Sequence, residues 1–167
     1  MPSQSGRRML IMAGVAEHHE FRSMDVPGAF MRSPNDPNHR VVMIQPPKSD
    51  GTVTAPGKVC LLRRSMPGEK SANLNWDTWR DYWVKNWGWT KVLSEPSMFI
   101  IHAPNKVARM EAGNDDFLMS TLTKADLDRL SQPFIDAWQV TIQDLRPGKQ
   151  SKKQPDQKTG PLNLFNT

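Results

Sequence analysis

The chain has 167 residues, enough for one domain with its own core, yet only 37% of it is hydrophobic and 14 residues are proline, a composition of many turns and loose ends. A single cysteine, Cys60, excludes an internal disulfide and a Cys-rich zinc site and suits a reducing compartment, so an intracellular location, cytoplasmic or nuclear, is expected. No apolar run approaches the ~18 residues of a membrane span, and a net charge of +5 with a pI near 9.6 suits a polyanionic partner such as nucleic acid without requiring one.

In chain order, residues 1–7 read as a flexible N-terminus, residues 8–146 as one domain and residues 147–167 as a disordered basic tail. Arg7-Arg8 ahead of an apolar stretch has the order of a signal peptide, but that stretch is short, contains Gly14 and runs into Glu17-His18-His19-Glu20. A helix over 8–17 fits better, with Met9, Ile11, Met12, Val15 and Ala16 as its apolar stripe. Those two histidines and two glutamates make a poor metal site, since neighbouring helical side chains point different ways. Residues 21–26 are extended and carry Asp25, Pro27-Gly28 breaks the backbone, and residues 29–31 form a single turn. Residues 41–44 and 59–62 read as the strands of a long-looped hairpin.

Trp76, Trp79, Trp83 and Trp87 recur at spacings of three, four and four, which places them on one face of a helix stopped by Gly88. Aromatics that stack on bases sit on exposed sheets or loops, so this helical row is expected in the core. A strand over 98–102 follows, with a turn at Asn105. Thr123 is an N-cap with Asp126 three residues on, opening a helix to Trp138 that Pro133 should end or kink. Residues 140–142 are a last strand.

The chemistry concentrates in Gly113-Asn114-Asp115-Asp116-Phe117, a turn between the alternating run 107–112 and the apolar run 117–119. Adjacent carboxylates repel one another and resist desolvation unless a cation compensates them, and Mg²⁺ favours hard carboxylate oxygens together with phosphates. Aspartate is also a good turn former, so a solvated Asp-Asp turn stays open on these residues alone. Arg109 and Glu111 are charged where a buried strand is usually apolar.

Several local strings, in order, resemble the reverse transcriptase of copia-type LTR retrotransposons. Residues 24–31, Met-Asp-Val-Pro-Gly-Ala-Phe-Met, look like the family's Asp-Val-x-x-Ala-Phe-Leu block. Residues 42–47 are similar to its x-Met-x-Gln-Pro-Pro segment, and residues 59–68 to Val-Cys-x-Leu-x-x-Ser-Leu-Tyr-Gly. Trp76, Gly88-Trp89-Thr90 and residues 95–100 fall in the following segments, and Asp115-Asp116-Phe117-Leu118 looks like the Tyr-x-Asp-Asp box.

The resemblance implies an α+β fold, a polymerase palm-like (ferredoxin-like) antiparallel sheet with helices packed on one face. It implies RNA-directed DNA polymerisation by two-metal nucleotidyl transfer, with Asp25, Asp115 and Asp116 as catalytic metal ligands for two Mg²⁺ ions, or Mn²⁺ in their place. Phe30 takes the place of the aromatic gate against a ribose 2′-hydroxyl, and Gly68 and Lys70 join it as substrate-binding positions. Arg63 and Arg64 are further candidates for phosphate contact. The implied partners are an RNA/DNA template-primer, dNTP and the remaining parts of a Pol polyprotein, with no membrane. Fingers, thumb and RNase H have no counterpart in these residues. Gly113-Asn114 stands where the family has its Tyr, and residues 66–71 lack its Gln. Two other readings therefore remain: a catalytically decayed derivative that binds nucleic acid, and an unrelated small α+β interaction domain.

Overall fold

The computed structural model describes residues 4–35, 43–44, 59–103 and 106–145. The expected tail 147–167, the Asn105 turn and the long connector of the first hairpin lie outside them. The fold is α+β, a six-stranded antiparallel sheet with four helices among the described residues. The elements run α1 (Gln4–Ala16), β1 (Glu20–Asp25), α2 (Ala29–Arg32), β2 (Met43–Ile44), β3 (Cys60–Leu61), α3 (Ala72–Asn86), β4 (Thr90–Lys91), β5 (Met98–Ala103), β6 (Lys106–Ala112), β7 (Asp116–Thr121), α4 (Lys124–Trp138) and β8 (Thr141–Leu145). The large sheet is ordered β4-β5-β6-β7-β1-β8, so β1, an early strand, sits between two late ones. β2 and β3 pair separately, Met43 opposite Leu61, as the long-looped hairpin requires.

Strand alternation divides the sheet into two faces. One carries Met24, Phe99, Met110, Phe117 and Met119, buried beneath α3 and α4 together with Trp76, Leu127, Phe134 and Trp138. The tryptophan row behaves as its spacing demands. Trp76 is fully buried, and Trp79, Trp83 and Trp87 pack on the same core. Trp138 gathers them, its ring 5.4 Å from Trp76, 5.6 Å from Trp79 and 5.0 Å from Trp87. α3 starts earlier than the row and ends where Gly88 takes a φ of 89°. Thr123 caps α4 by accepting the Asp126 N–H at 3.1 Å. The helix runs through Pro133 rather than ending there, because the turn beyond it is held by Phe134 and Trp138 in the core.

The opposite face carries Phe21, Met98 and Leu118, and α1 closes over it through Leu10. Gly14 makes that approach possible, since a Cβ there would stand 2.5 Å from the Phe21 ring. Two expectations are corrected here. The helices do not share one face, because α1 lies across the sheet from α3 and α4. The flexible segment 1–7 gives way to helix from Gln4, with Arg7 inside α1. Ion pairs hold both ends of this helix: Arg7 binds Glu111 at 2.8 Å, and Glu17 takes both terminal nitrogens of Arg109 at 2.8 Å. The charges at 109 and 111 thus face α1. Among the described residues no helix is long and apolar enough to cross a membrane.

Candidate metal centre at the β6–β7 turn

Asp25 ends β1 and Asp116 begins β7, and the antiparallel register sets them directly opposite. One residue on, the Val26 N–H donates to the Asp115 carbonyl at 2.7 Å, so the ladder continues into the turn. Cross-strand partners have Cβ atoms about 5 Å apart and face the same side, which puts Asp25 and Asp116 together on the α1 face. Two distant parts of the sequence, Asp25 and the adjacent pair Asp115-Asp116, therefore meet at one sheet end. Partial desolvation first, then the charges of Asp115 and Asp116, raise the pKa of Asp25 above the ordinary aspartate value.

The turn itself is held from both sides. Gly113 donates its N–H to the Asp116 carbonyl at 2.7 Å, and Arg80 of α3, paired with Asp77 and Asp81, donates to the Gly113 carbonyl at 2.8 Å. Glycine at 113 has a second reason. A Cβ there would fall 1.9 Å from Asp116 Oδ1, so the Asp116 carboxylate occupies space that any other residue would fill.

Asp116 is not free. Arg7 Nη2 donates to Asp116 Oδ2 at 2.6 Å and to Glu111 Oε2 at 2.8 Å, bridging the two carboxylates. Hydrogen bonding to Asp116, followed by Glu111, raises the pKa of the guanidinium against the cost of its burial. Glu111 has no solvent exposure, and its Oε1 has no hydrogen-bond partner. Burial outweighs Arg7 there and raises the pKa of Glu111.

This arrangement decides which acids suit a cation. Among the described residues no group of three His, Cys, Asp or Glu is disposed to hold a metal ion. Asp116 is drawn to Arg7 and tucked against Gly113. Asp25 and Asp115 are exposed, and among the described residues their side-chain carboxylates make no hydrogen bond or ion pair. Two carboxylates suit Mg²⁺, which keeps several waters and takes few protein ligands.

The other predicted positions lie elsewhere. Phe30 is half-buried on α2 against the main core. Gly68, with a φ of 91°, and Lys70 are exposed in the turns leading to α3. No hydrogen bond or ion pair among the described residues joins these three to the acids. Arg64 donates to the carbonyl of Arg32, which with Asn35, Ser65 and Asn75 ties the segment after α2 to the one before α3. In the 17–20 cluster, His19 is buried against Ser120 and Glu17 is bound to Arg109.

Arg7 is the residue beside the acids that the sequence did not single out. Its trace in the sequence is Glu111, a carboxylate in an alternating strand that needed a cation from somewhere. No protein-family model matches the chain, and no curated protein matches it.

Proposed function

We propose that this chain is the palm of a copia-type reverse transcriptase, with Asp25 and Asp115 as its cation ligands for RNA-directed DNA polymerisation. The β1–β7 register carries the proposal, since it brings Asp25 beside the turn acids, whereas an unrelated domain has no need to pair them. The connectivity supports it too. Leaving aside the edge strands β4 and β5, β1, α3, β6, β7, α4 and β8 follow a β-α-β-β-α-β sequence in the sheet order β6-β7-β1-β8, a ferredoxin-like arrangement. A divalent cation bound here would supply charge neutralisation and an activated primer hydroxyl. The chain's own residues supply position: β1 and the turn fix the spacing of the two carboxylates, and the Arg80 bond to Gly113 holds the turn. Phe30 follows β1 on α2, where a ring anchored on the core could exclude a ribose 2′-hydroxyl.

A second reading, a decayed derivative that retains only nucleic-acid binding, is favoured by one observation, the neutralisation of Asp116 by Arg7. The full chain with an RNA template, DNA primer, dNTP and Mg²⁺ separates the two. Primer extension that disappears in Asp115→Asn is the expected result. Template binding without extension in Mg²⁺ or Mn²⁺ would favour the decayed form.

A further inference from the structure

We propose that Arg32 and Arg64 form a phosphate clamp for the backbone of a nucleic-acid strand. The inference rests on the reading that this chain binds nucleic acid, which its polymerase and decayed forms share, and is independent of the cation site. Elsewhere among the described residues the arginines that lose water have an acid beside them: Arg7, Arg22, Arg80 and Arg109 each pair with a carboxylate. Arg32 is different. It is half-buried, it makes no ion pair among the described residues, and burial lowers its pKa with no carboxylate to offset the cost. Its guanidinium donates through Nε alone, to the Pro27 carbonyl at 3.0 Å. Arg64 is exposed and likewise without an ion pair among the described residues, and it donates through Nη1 to the carbonyl of Arg32. Each guanidinium is thus oriented by one nitrogen and keeps a two-nitrogen edge, Nη1 and Nη2 at Arg32, Nε and Nη2 at Arg64. Such an edge matches two oxygens of one phosphate.

The two arginines stand on a hydrogen-bonded frame. Pro34 lies opposite Arg64 in an antiparallel bridge, and the Ser65 N–H donates to the Ser33 carbonyl at 3.1 Å. Ser33 and Ser65 have no solvent exposure. Ser65 Oγ donates to Asn35 Oδ1 at 2.9 Å, and Asn75 Nδ2 of α3 donates to Ser65 Oγ at 3.0 Å, which locks the pair from within. With Ser65 turned inward, alternation turns its neighbours Arg64 and Met66 outward, and both are exposed. Met31 of α2 and Leu61 of β3 are exposed on the adjoining elements. A nucleic-acid strand offers a partner for each part, phosphates for the guanidinium edges and base or sugar faces for the apolar side chains. An acidic peptide would use the charges and leave the apolar side chains in water.

The test is oligothymidylate binding to the full chain, read by fluorescence anisotropy across a KCl series, on wild type, Arg32→Gln, Arg32→Lys, Arg64→Gln and Arg8→Gln. Each phosphate contact with a single strand steepens the fall of log K with log salt by about 0.7. Arg32→Gln and Arg64→Gln should each bind more weakly and lose about that much slope, whereas Arg32→Lys, which keeps the charge, should keep the slope. Arg8→Gln removes an exposed charge from α1 and should leave the slope unchanged. Where a Gln variant fails to fold because a backbone carbonyl has lost its donor, the wild-type chain carries the test. Saturating oligonucleotide should shift the Arg32 and Arg64 Nε–H resonances and leave in place that of Arg22, which is held by Asp128 and Asp144. A slope retained in Arg32→Gln or Arg64→Gln, a slope lost equally in Arg8→Gln, or unshifted Arg32 and Arg64 at saturation overturns the clamp and leaves nucleic-acid binding standing. Displacement of the oligonucleotide by an equal charge of poly-L-glutamate overturns phosphate as the ligand. A wild-type chain that binds no oligonucleotide overturns the clamp together with the nucleic-acid reading on which it rests.

Discussion

Asp25 and Gly113 show how single residues bear the cost of the site. Asp25 titrates above the ordinary aspartate value because it is partly desolvated beside two other acids. Its native state therefore holds the proton more tightly than the unfolded chain does. Its contribution to stability is fully present below about pH 4, the unfolded value, and is lost as pH rises through the raised native value. Asp25→Asn should accordingly stabilise the metal-free protein at pH 7, by up to about 0.5 kcal/mol given its exposure to solvent. The gain should vanish below about pH 4, and melting temperatures measured across pH check it. Gly113→Ala sets a methyl against the Asp116 carboxylate and should destabilise by about 1–3 kcal/mol. It should also part Asp116 from Arg7, visible as a shifted Arg7 side-chain resonance.

At the scale of elements, one buried arginine joins β1, α4 and β8. Arg22, 2% exposed, donates through Nε to Asp144, through Nη2 to Asp128 and through Nη1 to Ser131, and Lys124 reaches both carboxylates. Either carboxylate can neutralise Arg22 when the other is lost. Asp128→Asn and Asp144→Asn should each destabilise only slightly, and the pair by more than the sum of the two, because the buried guanidinium is then left alone. Urea unfolding of the four-member cycle measures this. Lys124 foremost at Asp128, and Arg22 foremost at Asp144, hold these acids below the ordinary aspartate value. Their stabilisation is present above about pH 4 and is lost as pH falls through the depressed native values. On the same face Trp138 binds Trp76 and Trp79 of α3 and Trp87, its C-cap, to α4, so Trp138→Ala should cost about 3–5 kcal/mol in the same assay.

For the whole molecule, local patterns in the sequence carried most of the elements. The tryptophan spacing gave away α3 and its buried face, Thr123 the start of α4, and the Gly113–Phe117 turn the β6–β7 hairpin. Strand order and the placement of α1 were not accessible in that way, because they depend on which faces meet. The outward side of α1 keeps Met9, Met12 and Val15 exposed, while Leu10 and Gly14 turn inward, so its apolar stripe misreported the packing. Asp25, Asp115 and Asp116 could be named from their strings and turn chemistry, but their convergence needed β1 inserted between β7 and β8. Arg7 escaped notice because its partners lie on β6 and β7, far along the chain.

The most direct test of the cation centre is paramagnetic broadening of backbone amide resonances by substoichiometric Mn²⁺. The account predicts that Asp25, Val26 and residues 114–117 broaden first, and that Asp25→Asn abolishes the effect. Broadening that begins elsewhere, for example at Glu17–Glu20, or that leaves the β1 end and the β6–β7 turn unchanged, would contradict it.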